Sequence, residues 1–483
     1  MENQRNFSWK VAFAVLVFIP FFVTSEETTS FEQDIALLKQ TLSAAHPGYA
    51  RYIDEHELEG QWAALTLKSK KKSYSNLQFY TDVSRVLASL RCEHTVADLP
   101  KDLDAQKKQH FLPFTFKLFE YRMFVERSTL STLQKGTEIS HINNVPVETI
   151  LSKLMPYVSI DGYTDFTKAG KIARDFDLIG SAFEQFFAPV VLGVDKYPDS
   201  FEITLRDTKG TNIKVQSIEF SKWLTLAERP YRLDFKDAVS VKFIEPSTAV
   251  LSVDTFVNYR NPVDPDLLFL SIFKELKNKS VEKLIVDLRR NGGGSDDAQI
   301  GLMRYLYNTP FQLVDGGWLS VKPLGDLAAN LTSWDRAVID FDKTVLPLET
   351  QGYRIPLNQL GISAQTIEPA EYSFEGTVVM LTADNNASAS AALMAHIQKQ
   401  KHVTLVGEKT GGNQGGTTAS VIAFLKLPHS QISVRVPLIL NRYNIDNAEN
   451  GIGATPDLFV PQTLDDWLNN KDSILEHALS MKL

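Results

Sequence analysis

An apolar run, Thr377-Val378-Val379-Met380-Leu381, leads into a polar turn and then into the small residues Ala387-Ser388-Ala389-Ser390, which open a helical stretch to Gln400. A serine at such a junction presents its Oγ at the carboxyl end of a buried strand. It also stands at a helix N-terminus, where the dipole and free N–H groups favour developing negative charge. Ser388 is therefore a candidate nucleophile, and the alternative is a serine that only caps the helix. A second segment, Asp287-Leu288-Arg289-Arg290-Asn291-Gly292-Gly293-Gly294, ends another apolar run in three glycines. Glycine turns let backbone N–H groups approach a ligand closely, as an oxyanion hole or a phosphate cradle requires. No Gly-Lys-Ser/Thr and no dinucleotide fingerprint accompany the turn. A Gly-x-Ser-x-Gly elbow is also missing, as are a His-Glu-x-x-His pair and paired cysteines. The sequence thus gives no reason to expect a metal or an organic cofactor.

The elements that would position these residues are legible in outline. From about Val239 onward, near-continuous apolar runs (Ala249–Val253, Lys283–Leu288, Thr377–Leu381, Val403–Val406) alternate with helical stretches at Pro265–Leu276, Asp296–Tyr307 and Ala389–Gln400. Strands buried on both faces and separated by helices imply a layered α/β core. Phe31 to about Leu99 reads as helical, with a break at His46-Pro47-Gly48. Phe111 to Val215 reads as short strands, with Asn143-Asn144 as a turn pair and Ser200–Leu205 alternating polar and apolar. This β-rich segment resembles a PDZ-like module through Gly136-Thr137-Glu138-Ile139 and Ile142-Asn143-Asn144-Val145-Pro146-Val147.

Arg5 and Lys10 precede an apolar run from Val11 to Val23, and polar residues follow from Ser25. That layout predicts a signal peptide over 1–25, with a retained anchor as the alternative; the run is short of the ~20 residues that span a bilayer. With Cys92 as the one cysteine, no internal disulfide is possible. Export without disulfides suits a bacterial periplasm or the extracellular space. The net charge of −8 over 483 residues, with no basic stripe, argues against a nucleic-acid partner. No stable membrane span is expected once the signal is removed.

Five segments in order carry a wider resemblance: Leu90-Arg91-Cys92-Glu93-His94-Thr95, the glycine turn at Asp287–Gly294, Ala387–Ser390, Val406-Gly407-Glu408-Lys409-Thr410-Gly411-Gly412 and Gly453-Ala454-Thr455-Pro456-Asp457. Together they resemble the C-terminal processing peptidase and tricorn-core family. The resemblance implies a crotonase-like α/β core over 221–483, a helical N-terminal cap over 26–110 that carries the His-Thr segment, and the PDZ-like module over 111–220. It implies a serine endopeptidase acting on exported polypeptides or peptides, with Ser388 as nucleophile. Ala389 and Gly293 would donate the oxyanion N–H groups, with Gly292 as an alternative. Processing peptidases carry their basic lysine where this chain has Asn413, whereas the tricorn-like branch uses a histidine that matches His94. The group orienting that histidine maps to Glu449 or Asn450, with Glu93 a further candidate. His396, eight residues into the helix after Ser388, would lie about 12 Å along its axis. The rival reading is a non-catalytic relative that binds a peptide or hydrophobic ligand. No basic pocket supports a coenzyme A enzyme.

Overall fold

The computed structural model describes residues 29–173, 182–227, 232–244, 247–320, 324–334, 345–348 and 352–482. The signal peptide expected over 1–25 lies outside them. Three helices come first: α1 (Ser30–Ala45), α2 (Glu55–Ser69) and α3 (Asn76–Ser89). Capping boxes start α1 (Thr29 with Glu32) and α3 (Ser75 with Gln78), and each satisfies backbone donors that the first turn leaves free.

An antiparallel sheet follows. It runs in the order β1 (Phe114–Phe119), β2 (Arg122–Ser128), β3 (Glu138–Ile142), β4 (Ser200–Leu205) and β5 (Asn212–Gln216), with helix α4 (Val147–Leu154) between β3 and β4 in sequence. Asn143 and Asn144 turn the chain after β3 with φ of 50° and 61°, a pair of left-handed residues that asparagine tolerates. One apolar cluster joins the three N-terminal helices, this sheet and the segment from Ala423 to Leu438.

The remaining chain is mixed α/β, as its apolar runs predict. Its main elements are β6 (Val239–Ile244), β7 (Thr248–Val253), α5 (Pro265–Asn278), β8 (Lys283–Asp287), α6 (Asp296–Leu306), β9 (Val314–Leu319), β10 (Thr377–Thr382), α7 (Ser388–Ile397), β11 (Val403–Gly407), β12 (Leu440–Tyr443), β13 (Leu458–Phe459) and α8 (Ser473–Ser480). Six of the strands form one sheet in the order β13-β11-β10-β8-β7-β6, parallel except for the β7–β6 pair. Strand alternation sorts its side chains: Leu284, Val286, Val378 and Met380 face α5, α6 and α7 on one side. Ile285, Val379, Leu381 and Val406 face α8 on the other. The register sets Asp287 of β8 beside Leu381 of β10. The glycine turn and the Ser388 turn therefore leave the same sheet edge as neighbours. β9 and β12 pair in a separate small sheet.

Candidate active site

Asn386 shapes the serine turn. It is fully buried; its Oδ1 accepts the Ala383 N–H at 2.8 Å, and its Nδ2 donates to Leu288 O at 2.6 Å and Asn291 O at 3.1 Å. The side chain thus ties the turn after β10 to the turn after β8. Ser388 then enters α7 with φ of 49°, a left-handed conformation costly for a residue with a Cβ. Ala387 occupies the cap position, and no side chain caps the helix. The capping alternative for Ser388 fails on this geometry. Its Oγ lies 3.3 Å from His94 Nε2 instead. Ser390 is fully buried and bonded through its Oγ to Asn386, so it is not the exposed hydroxyl.

Gly293 closes the other side. A Cβ at Gly293 would sit 2.8 Å from Ser388 Cβ and 3.2 Å from Ala389 N, and its φ is 111°. Only glycine leaves that space open. Its N–H, however, donates to Asn291 Oδ1 at 2.9 Å. The donor expected of Gly293 is thus engaged within the turn by the neighbouring asparagine. Among the described residues, the N–H groups of Ala389 and Gly292 have no hydrogen-bond partner.

His94 arrives from the segment after α3. Cys92 Sγ contacts Thr418 Oγ1 at 3.0 Å, and the buried Thr95 holds His46 Nε2 at 2.7 Å. Since His46 Nδ1 accepts the Gly48 N–H at 2.9 Å, its Nε2 is the protonated nitrogen. His46-Pro47-Gly48, read from sequence as a helix break, thus also buttresses the His94 segment. His94 Nδ1 is buried without a hydrogen-bond partner. Asp161, Cys92 and His94 place one ligand-type atom each within 4.8 Å of one another. That sulfur, nitrogen and oxygen set could hold a thiophilic divalent ion, and it is the one such group among the described residues.

Burial alone would lower the affinity of His94 for a proton. The Cys92 thiol beside it and the negative charges of Asp161 and Glu93 outweigh that, and its pKa is pushed up to about 9. Burial pushes the Asp161 carboxyl above its ordinary range, against the pull of His94 and of the Glu93 N–H that it accepts at 2.8 Å.

The other positions expected near the histidine lie elsewhere. Glu449 is exposed, Asn450 is exposed and accepts from Arg51, and Glu93 pairs with Lys171 at 2.9 Å. None of Glu449, Asn450 and Glu93 bonds His94 Nδ1, and the carboxylate that lies near the imidazole is that of Asp161. Asn413, at the lysine position of the alternative mechanism, bonds Tyr52 through Nδ2 and accepts the Gly415 and Gly451 N–H groups. Lys409 is exposed. His396 is buried against Tyr443, and burial lowers its pKa to about 4.

The serine, the imidazole and a backbone donor at a helix start make up the parts for acyl transfer, and comparison with known proteins agrees. Residues 247–460 match the model of peptidase family S41. The matched segment is that of an S41 peptidase. That match, with the serine and imidazole brought together, supports a serine peptidase. Two solved structures share its fold: mature CPAF complexed with lactacystin (TM-score 0.62, 14% identity, covering 93% of this chain and 96% of that one) and mature CPAF (TM-score 0.61, 13% identity, 93% and 95%). No curated protein matches the sequence.

Within the matched segment and the helix after it, the late motifs serve as scaffolding. Thr410 N–H donates to Ala454 O at 3.0 Å, and the Ala454 N–H returns to Thr410 Oγ1 at 2.8 Å. Asp457 accepts the Leu405 N–H of β11 at 2.8 Å, and Arg289 bridges Asp287 and Asp472. Asp161 is the functional candidate that sequence reading missed. It lies in Asp161-Gly162-Tyr163-Thr164, which carries no motif, and bonds from Gly162 N–H to Arg91 O and from Glu93 N–H to Asp161 bring it to the histidine segment.

Proposed function

We propose that this S41 peptidase hydrolyses exported polypeptides through a Ser388 acyl-enzyme with His94 as general base. The observation that carries the reading is the 3.3 Å approach of His94 Nε2 to Ser388 Oγ. Ser388 Oγ attacks the scissile carbonyl carbon while its proton passes to His94 Nε2. The tetrahedral oxyanion takes the Ala389 N–H, and the glycine turn adds a second donor, Gly292 as it stands or Gly293 once Asn291 releases it. His94 then gives its proton to the leaving amine. A water attacks the acyl carbon, loses its proton to His94 and frees Ser388. For Nε2 to accept a proton, Nδ1 must carry one, and a buried N–H needs an acceptor. Asp161 is the carboxylate placed to provide it after a small closure, such as substrate binding brings.

The same reading assigns a signal peptide to 1–25, a helical cap to 26–110, a PDZ-like module to 111–220 and a crotonase-like core to 221–483, in a bacterial periplasmic or extracellular setting. The parallel β7–β13 sheet between helix layers supports the core assignment, and the antiparallel β1–β5 sheet supports the module. Its edge strand β5 is where an extended substrate could add. Digestion of an unfolded protein by wild type and by Ser388→Ala tests the reading. It predicts fragments from the first and none from the second, and equal fragmentation by both would refute it.

A further inference from the structure

Beyond the reacting atoms, a cavity of about 670 Å³ opens between the start of α6 and the small β9–β12 sheet. Asp296, Asn441 and Ser420 line it, with the apolar Ile355, Val421 and Ile439. Two of its polar groups lack partners. The Asp296 carboxylate accepts no hydrogen bond and meets no cation among the described residues; its neighbour Asp297 is bonded to Asn258 Nδ2 at 2.7 Å. Asn441 is 4% exposed, yet its Oδ1 has no partner, while its Nδ2 is held by Ser420. An acidic residue in a first helical turn is ordinary. A buried amide oxygen left unpaired on the wall of the same cavity is not, because an unpaired buried acceptor costs free energy until a donor arrives, whereas the exposed Asp296 is solvated.

Neither Ser388 nor His94 lines this cavity, but the chain ties it to their turns from two sides. Asp296 follows Gly293 by three residues, so their Cα atoms lie within about 11 Å of each other. Gly293 in turn packs against Ser388. From the other side, Asn441 exchanges backbone hydrogen bonds with Thr417, at 3.0 and 2.8 Å, in the same loop as Gly412, which approaches the Ser388 N–H.

We infer that this cavity is the specificity pocket of the peptidase and takes a lysine or arginine side chain flanking the scissile bond. Asp296 is its charge partner, and Asn441 Oδ1 is a second acceptor. The apolar residues of the wall suit the methylene stem of such a side chain, and two acceptors suit its several N–H donors. Enclosure by protein atoms and the charge of Asp297 already push the Asp296 carboxyl up to about 6, although the cavity leaves it open to solvent. A bound cation relieves that unfavourable charge.

The inference rests on the peptidase reading, and its test separates the two. Fluorogenic peptides that differ only in lysine, arginine, glutamine or norleucine beside the scissile bond are compared by kcat/KM. In parallel, binding of benzamidine, a planar cation, to Ser388→Ala is followed by calorimetry. Wild type should favour the basic peptides by roughly 10²-fold. Asp296→Asn should reduce that ratio to within about threefold and, in the Ser388→Ala background, abolish benzamidine binding. Asn441→Asp, which adds a second charge, should raise the ratio. Hydrolysis of the series without basic preference, or a preference and benzamidine binding that survive Asp296→Asn, would overturn the pocket and leave the peptidase standing. A folded wild type that cleaves no peptide yet binds benzamidine through Asp296 would overturn the peptidase reading and keep the pocket.

Discussion

At the residue scale the chemistry turns on two side chains and their protonation. Ser388→Ala should lower kcat by about 10³-fold or more with an unchanged melting temperature, because the hydroxyl makes no structural cap. Ser390→Ala should keep most of the activity but cost about 1 kcal/mol of stability, since it removes a buried bond to Asn386. The pH dependence follows from His94. Only its neutral form can accept the serine proton, and its pKa is raised to about 9. Activity is therefore lost as pH falls through about 9, well above the value near 6.5 expected of an unperturbed imidazole. Removing the charge of Asp161 lowers that pKa. In Asp161→Asn the acid limb of kcat/KM should move to lower pH, while the limiting kcat drops roughly 10²-fold as the imidazole loses its orientation. An unmoved limb in a folded variant would reduce Asp161 to a structural role. Lys409→Gln, an exposed position, should keep its kcat and separate this mechanism from a serine–lysine pair.

Elements decide whether those side chains meet, and here the sequence was legible in some places and silent in others. The apolar runs located β8 and β10, and their small-residue turns pointed to Ser388. These signals are local: hydrophobic period, glycine and turn polarity all lie within a few residues. His94 needed motif context, since one histidine among nine carries no periodic signature. Asp161 had none, because its proximity comes from a turn that folds onto the Arg91 backbone. The direction of the Gly293 N–H was equally hidden, since it depends on the rotamer of Asn291. Two variants probe the turns. Gly293→Ala places a Cβ 2.8 Å from that of Ser388 at a φ of 111°, so kcat should fall by roughly 10²-fold and the melting temperature should fall with it. Asn386→Ala strands Ala383 N–H and Asn291 O and takes one of two donors from Leu288 O, and thermal unfolding should show a loss of about 3 kcal/mol. A melting curve unchanged in Asn386→Ala would mean that the turns are held together by something else.

Across the whole molecule, Ser388 and its proposed base His94 stand 294 residues apart in the chain. The apolar cluster that runs from the N-terminal helices through Ala423, Leu425, Val434 and Val436 makes that arrangement cooperative. A fragment of residues 221–483 would lack His94 and expose those apolar side chains to water. It should be inactive and should aggregate, and supplying residues 29–220 as a second chain should restore soluble, active material. A soluble, active fragment would show that the base lies elsewhere.

The pairing of Ser388 with His94 is tested most directly by labelling with a fluorophosphonate and mapping the adduct by mass spectrometry. A serine attacks that probe only when a base takes its proton, and the phosphonyl group marks the residue that attacked. The arrangement predicts one adduct, on Ser388, in wild type. It predicts no adduct in folded Ser388→Ala and labelling slowed by roughly 10²-fold or more in folded His94→Ala. An adduct on another serine, or wild-type labelling of His94→Ala, would contradict it.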